Sequence, residues 1–545
     1  MLYNTFGITA IQNQIAFFEI HRYHTISGRK DTLREAAKRI REIIFSRAVI
    51  VGFLLLVQLG LIFLFIVRLS QYFAALYGCF LLISALVALH IINSDINPSY
   101  KMAWIIPVLT FPILGGALYV IFKNSRLSKK ALKRLREEEA RAAVINCQKA
   151  DAEQELNSLP MSLQLQSNYI RSAGYPAFTH TKTEYLSPGE KMFERMLADL
   201  KNAERYIFME YFIIGEGKMW SDILAVLEEK AAQGVVVKVI YDGFGCLNRL
   251  PNDYYKQLRQ KGIGCIEFIP LIPLLTNLMN NRDHRKITVI DGEVGYMGGI
   301  NIADEYINVT ERFGHWKDCG VRLEGQAVTS LAAMFCTMYN ALSAKERCEL
   351  TELCSQRRPP DTDGVVQPYS DTPLDKELVG RGIYLGMISR AQHYIYICTP
   401  YFIVDNEILT ALLLAAKSGV DVRIITPYKG DKWYVHMTTR SYYRQLIEGG
   451  VKVYEYTPGF IHSKLFVCDD ETASVGTVNL DYRSLYLHFE CGVWMTGTTA
   501  VGEIKKDFID TMDKSEKITL ESEQIKLSAM QRLFSAVIKV FEPLM

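Results

Sequence analysis

The chain has 545 residues, of which 49% are hydrophobic and 22% are charged, so it can form two globular units or one large unit with appendages. Its formal net charge is only +2, which does not indicate a nucleic-acid partner. The 11 cysteines include no CxxC pair and no metal-like spacing with histidine. Such scattered cysteines are typical of small core residues in a reducing compartment.

Three uncharged apolar runs lie near the N-terminus, behind a basic segment of residues 1–47. They cover residues 48–67, 72–92 and 102–122. A helix of about 20 residues is about 30 Å long, which matches the hydrocarbon core of a bilayer. The sequence therefore predicts N-terminal transmembrane helices over residues 48–122. A signal peptide is disfavoured, because the first run starts far from the N-terminus.

The topology of these runs is ambiguous. Basic residues flank the region on both sides, and the positive-inside rule places both flanks in the cytoplasm. Three crossings cannot satisfy that rule, so either the N-terminus lies outside or one run does not cross. Pro107, Pro112 and the pair Gly115 and Gly116 make the third run the easiest to break. A basic helical linker follows at residues 123–164 and lies either on anionic headgroups or in solvent.

Beyond residue 165 the sequence repeats itself. Residues 203–242 match residues 391–427, and each stretch indicates a strand, an aromatic loop, an amphipathic helix and a second strand. This unit predicts an α/β fold made of two similar α/β/α halves about a pseudo-twofold axis. The first half covers residues 165–355. The second covers residues 364–545 and ends in an amphipathic tail.

The first half carries about ten extra residues, within the apolar segment 269–283. This insertion is a candidate lid or lipid-contacting loop, and an ordinary surface insertion is the alternative. The proline-rich stretch 357–361 has few core-forming residues and marks the joint between the halves.

One pattern occurs once in each half, as HRKITVIDGEVGYMGGIN and later as HSKLFVCDDETASVGTVN. Both copies contain His, Lys, Asp, Gly and Asn at the same spacing. Residues i and i+2 of a strand share a face, so His284 and Lys286 should project together, as should His462 and Lys464. Packing of two similar halves should then bring both histidines to one cleft.

Two imidazoles, two ammonium groups and two amides suit a tetrahedral phosphate better than a metal ion. One histidine can attack phosphorus, and the other can protonate the leaving oxygen. The lysines, together with Asn301 and Asn479, can neutralise the charge that develops in the transition state.

Each histidine needs a partner on its other ring nitrogen. Asp318 and Glu490 follow the two frames at similar distances and are the candidates. Asp291 and Asp469 are ambiguous, since they either pair with groups of the site or form the turns that follow the strands. His488 is interpreted as a packing or hydrogen-bonding residue.

The two frames resemble the HKD motifs of the phospholipase D superfamily. From about residue 45 onward the chain is similar to the bacterial cardiolipin synthases of the phospholipase D type. Other stretches that carry the resemblance are MEYFI, HWKD, TPYF and NLDYRSLYLHFE. Two departures are Gly299 and Thr477, where the superfamily often has Ser, so the two halves need not contribute equally.

The resemblance implies a phosphatidyl-histidine intermediate, no metal or other cofactor, and phosphatidylglycerol as both donor and acceptor, with cardiolipin and glycerol as products. It implies a multi-pass protein of a bacterial cell membrane with its catalytic part in the cytoplasm, membrane lipid as partner and no nucleic acid. It leaves the oligomeric state open. It favours His284 as the nucleophile. The catalytic set carried over position by position is His284, Lys286, Asp291, His462, Lys464 and Asp469.

Three alternatives stay open. The first is a hydrolase of the same fold, which uses water as acceptor and releases phosphatidic acid or cuts nucleic acid. The second is a phosphatidyltransferase with another alcohol or lipid as acceptor. The third is a membrane scaffold with a relic site, which two intact frames disfavour.

Overall fold

The computed structural model describes residues 53, 56–64, 70–122, 129–145, 150–269, 281–343, 346–349, 364–526 and 529–544. They form two compact units. The smaller unit takes its described residues from Met1–Ser94 and Trp104–Lys123. The larger unit takes them from Asp95–Ala103, Asn124–Leu271 and Asn277–Met545.

The smaller unit is helical. The second apolar run lies in one helix, Ser70–Ile92. The third run is divided between the helices Pro98–Thr110 and Pro112–Phe122. Phe111 precedes a proline, a position that disfavours helical backbone, and Pro112 is well suited to start the next helix. The third run is thus broken where the sequence made a break easiest.

Gly115 allows the two helices on either side of this break to approach closely. A Cβ atom there would lie only 2.2 Å from the carbonyl oxygen of Pro107. Ile91, Val108 and Tyr119 form the small core of this unit. No helix in residues 70–122, or elsewhere in the described chain, is long and apolar enough to cross a membrane, so the expected transmembrane helices are not found there.

The linker forms the helices Lys129–Ile145, Ala150–Ser158 and Met161–Ser172. The first of them packs against the helix Val328–Leu342 of the larger unit. Its buried residues Leu135, Glu138 and Ala142 lie on one face. Neither alternative for the linker, on lipid or in solvent, foresaw this packing.

The first half of the larger unit contains eight strands and four α-helices among the described residues. The strands are β1 (Thr181–Leu186), β2 (Tyr206–Tyr211), β3 (Val236–Asp242), β4 (Gly264–Phe268), β5 (Lys286–Ile290), β6 (Val294–Gly298), β7 (His315–Lys317) and β8 (Gly320–Gly325). The helices are Gly189–Lys201, Lys218–Ala232, Tyr254–Gln260 and Val328–Leu342, with a 3₁₀ turn at Asp304–Ile307.

The second half repeats this pattern with additions. Its strands are β9 (Val365–Asp371), β10 (Tyr394–Cys398), β11 (Phe402–Ile403), β12 (Asp421–Pro427), β13 (Lys452–Tyr456), β14 (Gly459–Ile461), β15 (Leu465–Cys468), β16 (Thr472–Gly476), β17 (Leu480–Asp481), β18 (Glu490–Thr496) and β19 (Ser515–Ile518). Its helices are Val379–Arg390, Asn406–Lys417, Trp433–Ser441, Tyr443–Glu448, Tyr482–Tyr486, Thr499–Met512 and Ala529–Val540, with 3₁₀ turns at Glu523–Ile525 and Glu542–Leu544.

The two sheets share one strand order, which confirms the predicted pair of α/β halves. The first sheet runs β1-β8-β6-β5-β2-β3-β4, and the second runs β9-β18-β16-β15-β10-β12-β13, with β19 added at its edge. Both sheets are mixed: β2 pairs parallel with β3 and antiparallel with β5, and β10 does the same with β12 and β15.

The halves pack through a shared central core. Side chains from both sheets meet there around the helices Val328–Leu342 and Thr499–Met512. A separate apolar cluster covers the outer face of each sheet, where amphipathic helices such as Gly189–Lys201 place their apolar side. Several predicted features lie wholly or mostly outside the described residues, namely the basic segment 1–47, the insertion 269–283 and the joint 357–361, and half of the run 48–67 also lies outside them.

Candidate active site

Backbone pairing across the halves brings the two histidine frames together. β14, just before His462, pairs in parallel with β7, just before Asp318, so that Ile461 lies opposite Lys317. A parallel bridge likewise sets Asp283 opposite Phe489. One residue further along each pairing, His462 falls beside Asp318 and His284 beside Glu490.

Each imidazole is held by a carboxylate of the opposite half. Nδ1 of His284 is 2.9 Å from both oxygens of Glu490. Nδ1 of His462 is 2.6 Å from Oδ2 of Asp318. A carboxylate can only accept, so Nδ1 of each ring carries the donated proton and Nε2 is left for chemistry. The sequence predicted both acids, but it did not predict that each one holds the histidine of the opposite half.

The two lysines lie against their own histidines and are buried. Nζ of Lys286 donates to the carbonyl oxygen of His284 at 2.6 Å. Nζ of Lys464 donates to the carbonyl oxygen of His462 and lies 2.8 Å from its Nδ1. The histidines precede the strands β5 and β15 rather than lie within them. In each half the lysine Nζ nevertheless lies next to the histidine of the same half.

Burial keeps the imidazoles neutral in the free site. Loss of solvent lowers the pKa of His284 to about 3, against the opposing effect of the Glu490 charge. Loss of solvent and the nearby Lys464 charge lower the pKa of His462 to about 4. Both rings are therefore uncharged at neutral pH, and an uncharged Nε2 is a nucleophile.

The charged groups around the two imidazoles also have shifted pKa values. Burial would raise the pKa of Glu490, but interaction with His284 holds it below its usual range. Burial would likewise raise the pKa of Asp318, but the Lys464 charge and the hydrogen bond from His462 lower it. Burial also lowers the pKa of Lys286 to about 7 and that of Lys464 to about 8. An arriving anion would restore the charge of both lysines.

The two asparagines line the same cavity but are bonded differently. Oδ1 of Asn301 accepts from the Ile213 amide at 2.9 Å, and its Nδ2 donates to the Tyr306 hydroxyl at 2.7 Å. Nδ2 of Asn479 donates to Ser484 at 3.1 Å, and its buried Oδ1 has no partner among the described residues. The halves are thus unequal at this position.

Asp291 and Asp469, for which the resemblance implied a catalytic role, do not line the cavity. The Asp291 carboxylate accepts the backbone N–H groups of residues 204, 205 and 206 at 2.7–2.8 Å. Asp469 accepts those of residues 392, 393 and 394 at 2.7–2.9 Å. Both residues have φ of 55°, a left-handed turn that Asp tolerates. They tie each turn to the start of β2 or β10.

Gly299 and Thr477 differ because their halves hold different acids. A Cβ atom at Gly299 would lie 2.2 Å from Oδ1 of Asp318, so this acid fits only beside a glycine. The Thr477 hydroxyl donates to Oε2 of Glu490 and accepts from the Cys491 amide at 3.0 Å. Thr477 therefore fixes the carboxylate that holds His284.

Both histidines open onto one cavity of about 580 Å³. An aromatic wall surrounds His462, with the rings of Tyr306, Trp316 and Phe460 centred 5.3–5.9 Å from the imidazole. Sequence reasoning noted aromatic loops but did not assign this wall. The lining has five cations and three acids, so cations are in excess: Arg249, Arg282, Arg312, Lys432 and Arg483 against Glu305, Asp431 and Asp481. Such a lining suits an anionic ligand with an apolar part.

His488 also lines this cavity, which the sequence did not reveal. Its ring centre is 5.6 Å from that of His284, and its Nδ1 is 3.6 Å from Glu490. Ligand-type atoms of His284, His488 and Glu490 lie within 4.8 Å of one another. A cation there would displace the bond between His284 and Glu490 and face the nearby lysines, so these residues fit a histidine–carboxylate pair better than a metal centre.

Two neutral imidazoles facing one cationic cavity, each oriented by a buried acid, can transfer a phosphoryl-linked group through a histidine. A family model described as "Cardiolipin synthase, PLD-like domain" matches residues 196–312 and 384–512. A second model, described as "Phospholipase_D-nuclease N-terminal", matches residues 82–124.

Relatives cover most of the chain. An uncharacterized protein of Streptococcus mutans serotype c is 41% identical over 84% of this chain and 99% of its own length. A cardiolipin synthase of Geobacillus kaustophilus is 34% identical over 88% of this chain and 95% of its own. The solved phosphatidylserine synthase of Haemophilus influenzae Rd KW20 shares the fold, with a TM-score of 0.53 at 17% identity over 72% of this chain and 99% of that one.

The chain is a phosphatidyltransferase enzyme with two phospholipase D-like halves. It belongs to the cardiolipin synthase-like group of the phospholipase D superfamily.

Proposed function

We propose that this protein makes cardiolipin and glycerol from two molecules of phosphatidylglycerol. The observation that carries the proposal is the pair of neutral imidazoles, each held at Nδ1 by an acid of the other half, in one cavity. The catalytic residues we propose are His284, Lys286, His462 and Lys464, with Glu490 and Asp318 as orienting acids and Asn301 and Asn479 as further supporting groups.

In the first step, Nε2 of one histidine, which the resemblance favours as His284, attacks phosphorus. The bond from phosphorus to the headgroup oxygen breaks. The second histidine, which takes up a proton when the anionic phosphodiester binds beside it, gives that proton to the departing glycerol. In the second step, this histidine takes a proton from a hydroxyl of another phosphatidylglycerol. That oxygen attacks phosphorus, and the phosphorus–nitrogen bond breaks. The lysines stabilise the added charge in both transition states.

The protein must favour a lipid hydroxyl over water, which is present at roughly 55 M in bulk. Effective molarities of about 10⁵ M or more for oriented groups show that positioning can achieve this. The buried histidines and the aromatic wall around His462 support a site from which bulk water is excluded.

We further propose that the protein works at the membrane of a bacterial cell, as a multi-pass protein with its catalytic part in the cytoplasm. The three apolar runs and the cardiolipin synthase relatives support this. The proposed organisation is a basic segment (1–47), a membrane region (48–122), a basic helical linker (123–164) and two catalytic halves (165–355 and 364–545).

The test is a product balance. Purified full-length protein in phosphatidylglycerol vesicles should release about one free glycerol per cardiolipin formed, with little phosphatidic acid, and His284→Ala should form neither product. Phosphatidic acid as the dominant product would establish a hydrolase instead. Glycerol release with a different lipid product, in vesicles that also contain phosphatidylethanolamine, would establish another acceptor.

A further inference from the structure

The C-terminal helix Ala529–Val540 exposes apolar side chains and buries a polar one, the reverse of what is usual for a helix on the surface of a soluble protein. Its outward stripe is apolar: Met530 is 75% exposed, Val537 51% and Phe541, just past its end, 40%. Ser535 and Glu542 are buried on the opposite side together with Ile538. Positions i, i+7 and i+11 share one helical face, so the three exposed side chains lie on the same side.

The inward face is a specific contact. Glu542 accepts a hydrogen bond from the Tyr442 hydroxyl at 2.8 Å, and Nζ of Lys539 lies 4.8 Å from the centre of the Tyr442 ring. The helix also packs against the helix Trp433–Ser441. Its orientation is therefore set by these partners, and the apolar stripe is held outward by them.

A basic depression of about 580 Å³ lies beside the stripe. It is lined by the cations Arg440, Arg444, Lys526 and Lys539, and none of the described residues in its lining is acidic. Arg440 is paired with the buried Glu455. Arg444 and Lys526 pair with Glu448 and Glu523, but both pairs are largely exposed. Exposed pairs contribute little free energy, so these cations can exchange their partners for an anionic group.

The helix Trp433–Ser441 connects this depression to the active site. Its C-terminal residues Arg440 and Ser441 line the depression, and Tyr434 and Val435 near its start line the active-site cavity. Trp433, at its first position, is 66% exposed. An exposed tryptophan, an apolar stripe and adjacent cations are the combination that binds at a bilayer interface.

We infer that this face, made of the stripe Met530, Val537 and Phe541, the basic depression and Trp433, rests on the surface of an anionic phospholipid bilayer. The apolar side chains enter the headgroup boundary, and the cations contact phosphate groups. Lipid headgroups are then presented at the mouth of the active-site cavity. The inference concerns where the catalytic unit sits and is independent of which product is formed.

A depth measurement tests the inference in the full-length protein. A fluorophore is attached at Val537→Cys or, as a control, at Leu414→Cys, in a background freed of reactive cysteines. Leu414 is similarly exposed but lies on the outer helix Asn406–Lys417. In phosphatidylglycerol vesicles, lipid-borne nitroxides should quench the label at 537 strongly and the label at 414 little. Equal quenching at both positions would overturn the inference.

Activity gives a second measurement. The variant Val537→Glu with Phe541→Glu should transfer at least about tenfold more slowly on vesicles, because two apolar contacts are lost. It should match the parent on lipid dispersed in detergent micelles. Leu414→Glu should match the parent in both assays. Efficient cross-linking between copies of the Val537→Cys variant, without quenching by lipid, would instead assign the face to self-association and refute the bilayer contact.

Discussion

Nδ1 of His284 and the carboxylate of Glu490 are 206 residues apart in the chain and 2.9 Å apart in the structure. The companion pair, His462 and Asp318, crosses the halves in the other direction. Each half thus supplies one reactive imidazole and the acid that orients the other. Neither half has a complete site of its own.

Glu490→Gln should lower the transfer rate by roughly 10²–10⁴-fold, because an amide can stabilise the wrong tautomer of His284. Steady-state rates on phosphatidylglycerol vesicles measure the effect, and the melting temperature checks the fold. Asp318→Asn, at the equivalent place beside His462, should behave alike. A Glu490→Gln rate within tenfold of the parent would show that this bond does not orient the reactive ring.

His284→Ala and His462→Ala should each abolish nearly all transfer from phosphatidylglycerol, because nucleophile and acid act together. A phosphatidyl donor with p-nitrophenol as leaving group separates the roles, since this group leaves without a proton. With it, His462→Ala should still give a burst of p-nitrophenol, and His284→Ala should give none. The reverse result would make His462 the nucleophile, and a burst from both variants would show that His284 is not the sole nucleophile.

Asp291→Ala should lower the free energy of unfolding by about 2–4 kcal/mol, because three backbone amides lose a charged acceptor. The rate per folded molecule should change little, since this carboxylate is not part of the cavity lining. Chemical denaturation and active-site titration give the two quantities. Asp291→Asn keeps one acceptor oxygen and tolerates the left-handed turn, so its free energy of unfolding should lie between those of the parent and Asp291→Ala. A stable but inactive Asp291→Ala would restore the catalytic role.

Lys286→Met should lower the transfer rate by roughly 10²–10³-fold and yet raise the melting temperature, because it removes a buried ammonium ion whose desolvation costs free energy in the folded state. Burial lowers the pKa of Lys286 from 10.5 to about 7, so the buried charge destabilises the folded state most below pH 7. The gain in melting temperature should shrink as the pH rises from about 7 toward 10. A destabilised Lys286→Met would mean that the ammonium supports the fold.

Binding of tungstate, a phosphate analogue, should take up protons. An anion between the frames raises the pKa of His284 and His462, about 3 and 4 in the free site, and that of the two lysines. Affinity should therefore rise as the pH falls from about 9 to 6. Calorimetry in buffers of different ionisation enthalpy measures the uptake, and His284→Ala should reduce it. Affinity that weakens over this range as the pH falls would contradict these charge states.

Much of the fold followed from the repeat. A strand, a helix and a second strand in each half predicted two similar α/β halves, which the structure contains, because local patterns of apolar residues suffice to identify such elements. The sequence also predicted that the third run breaks most easily, and the break falls before Pro112, one of the four residues named for it, since proline constrains the residue before it. These features depend on neighbours in the sequence.

The site depends on neighbours in space, and here the sequence was less informative. The crossing of His284 to Glu490 follows from the parallel bridge between Asp283 and Phe489, a register between distant segments. The place of His488 in the cavity follows from the same register. Asp291 belongs to the repeated pattern, but the strand β5 separates it from His284. Its regular spacing in the sequence therefore did not place it in the active site.

The parallel pairing of β7 with β14 has a consequence for the history of such a chain. A protein made of a single half could form this site only as a dimer of identical copies, in which each copy supplies the acid that orients the histidine of the other. After duplication and fusion of the gene for such a protein, sequence changes in one half would be constrained by the other half. A change in the angle between them would disturb both histidines at once, so selection would act on the pairing as a single inherited trait.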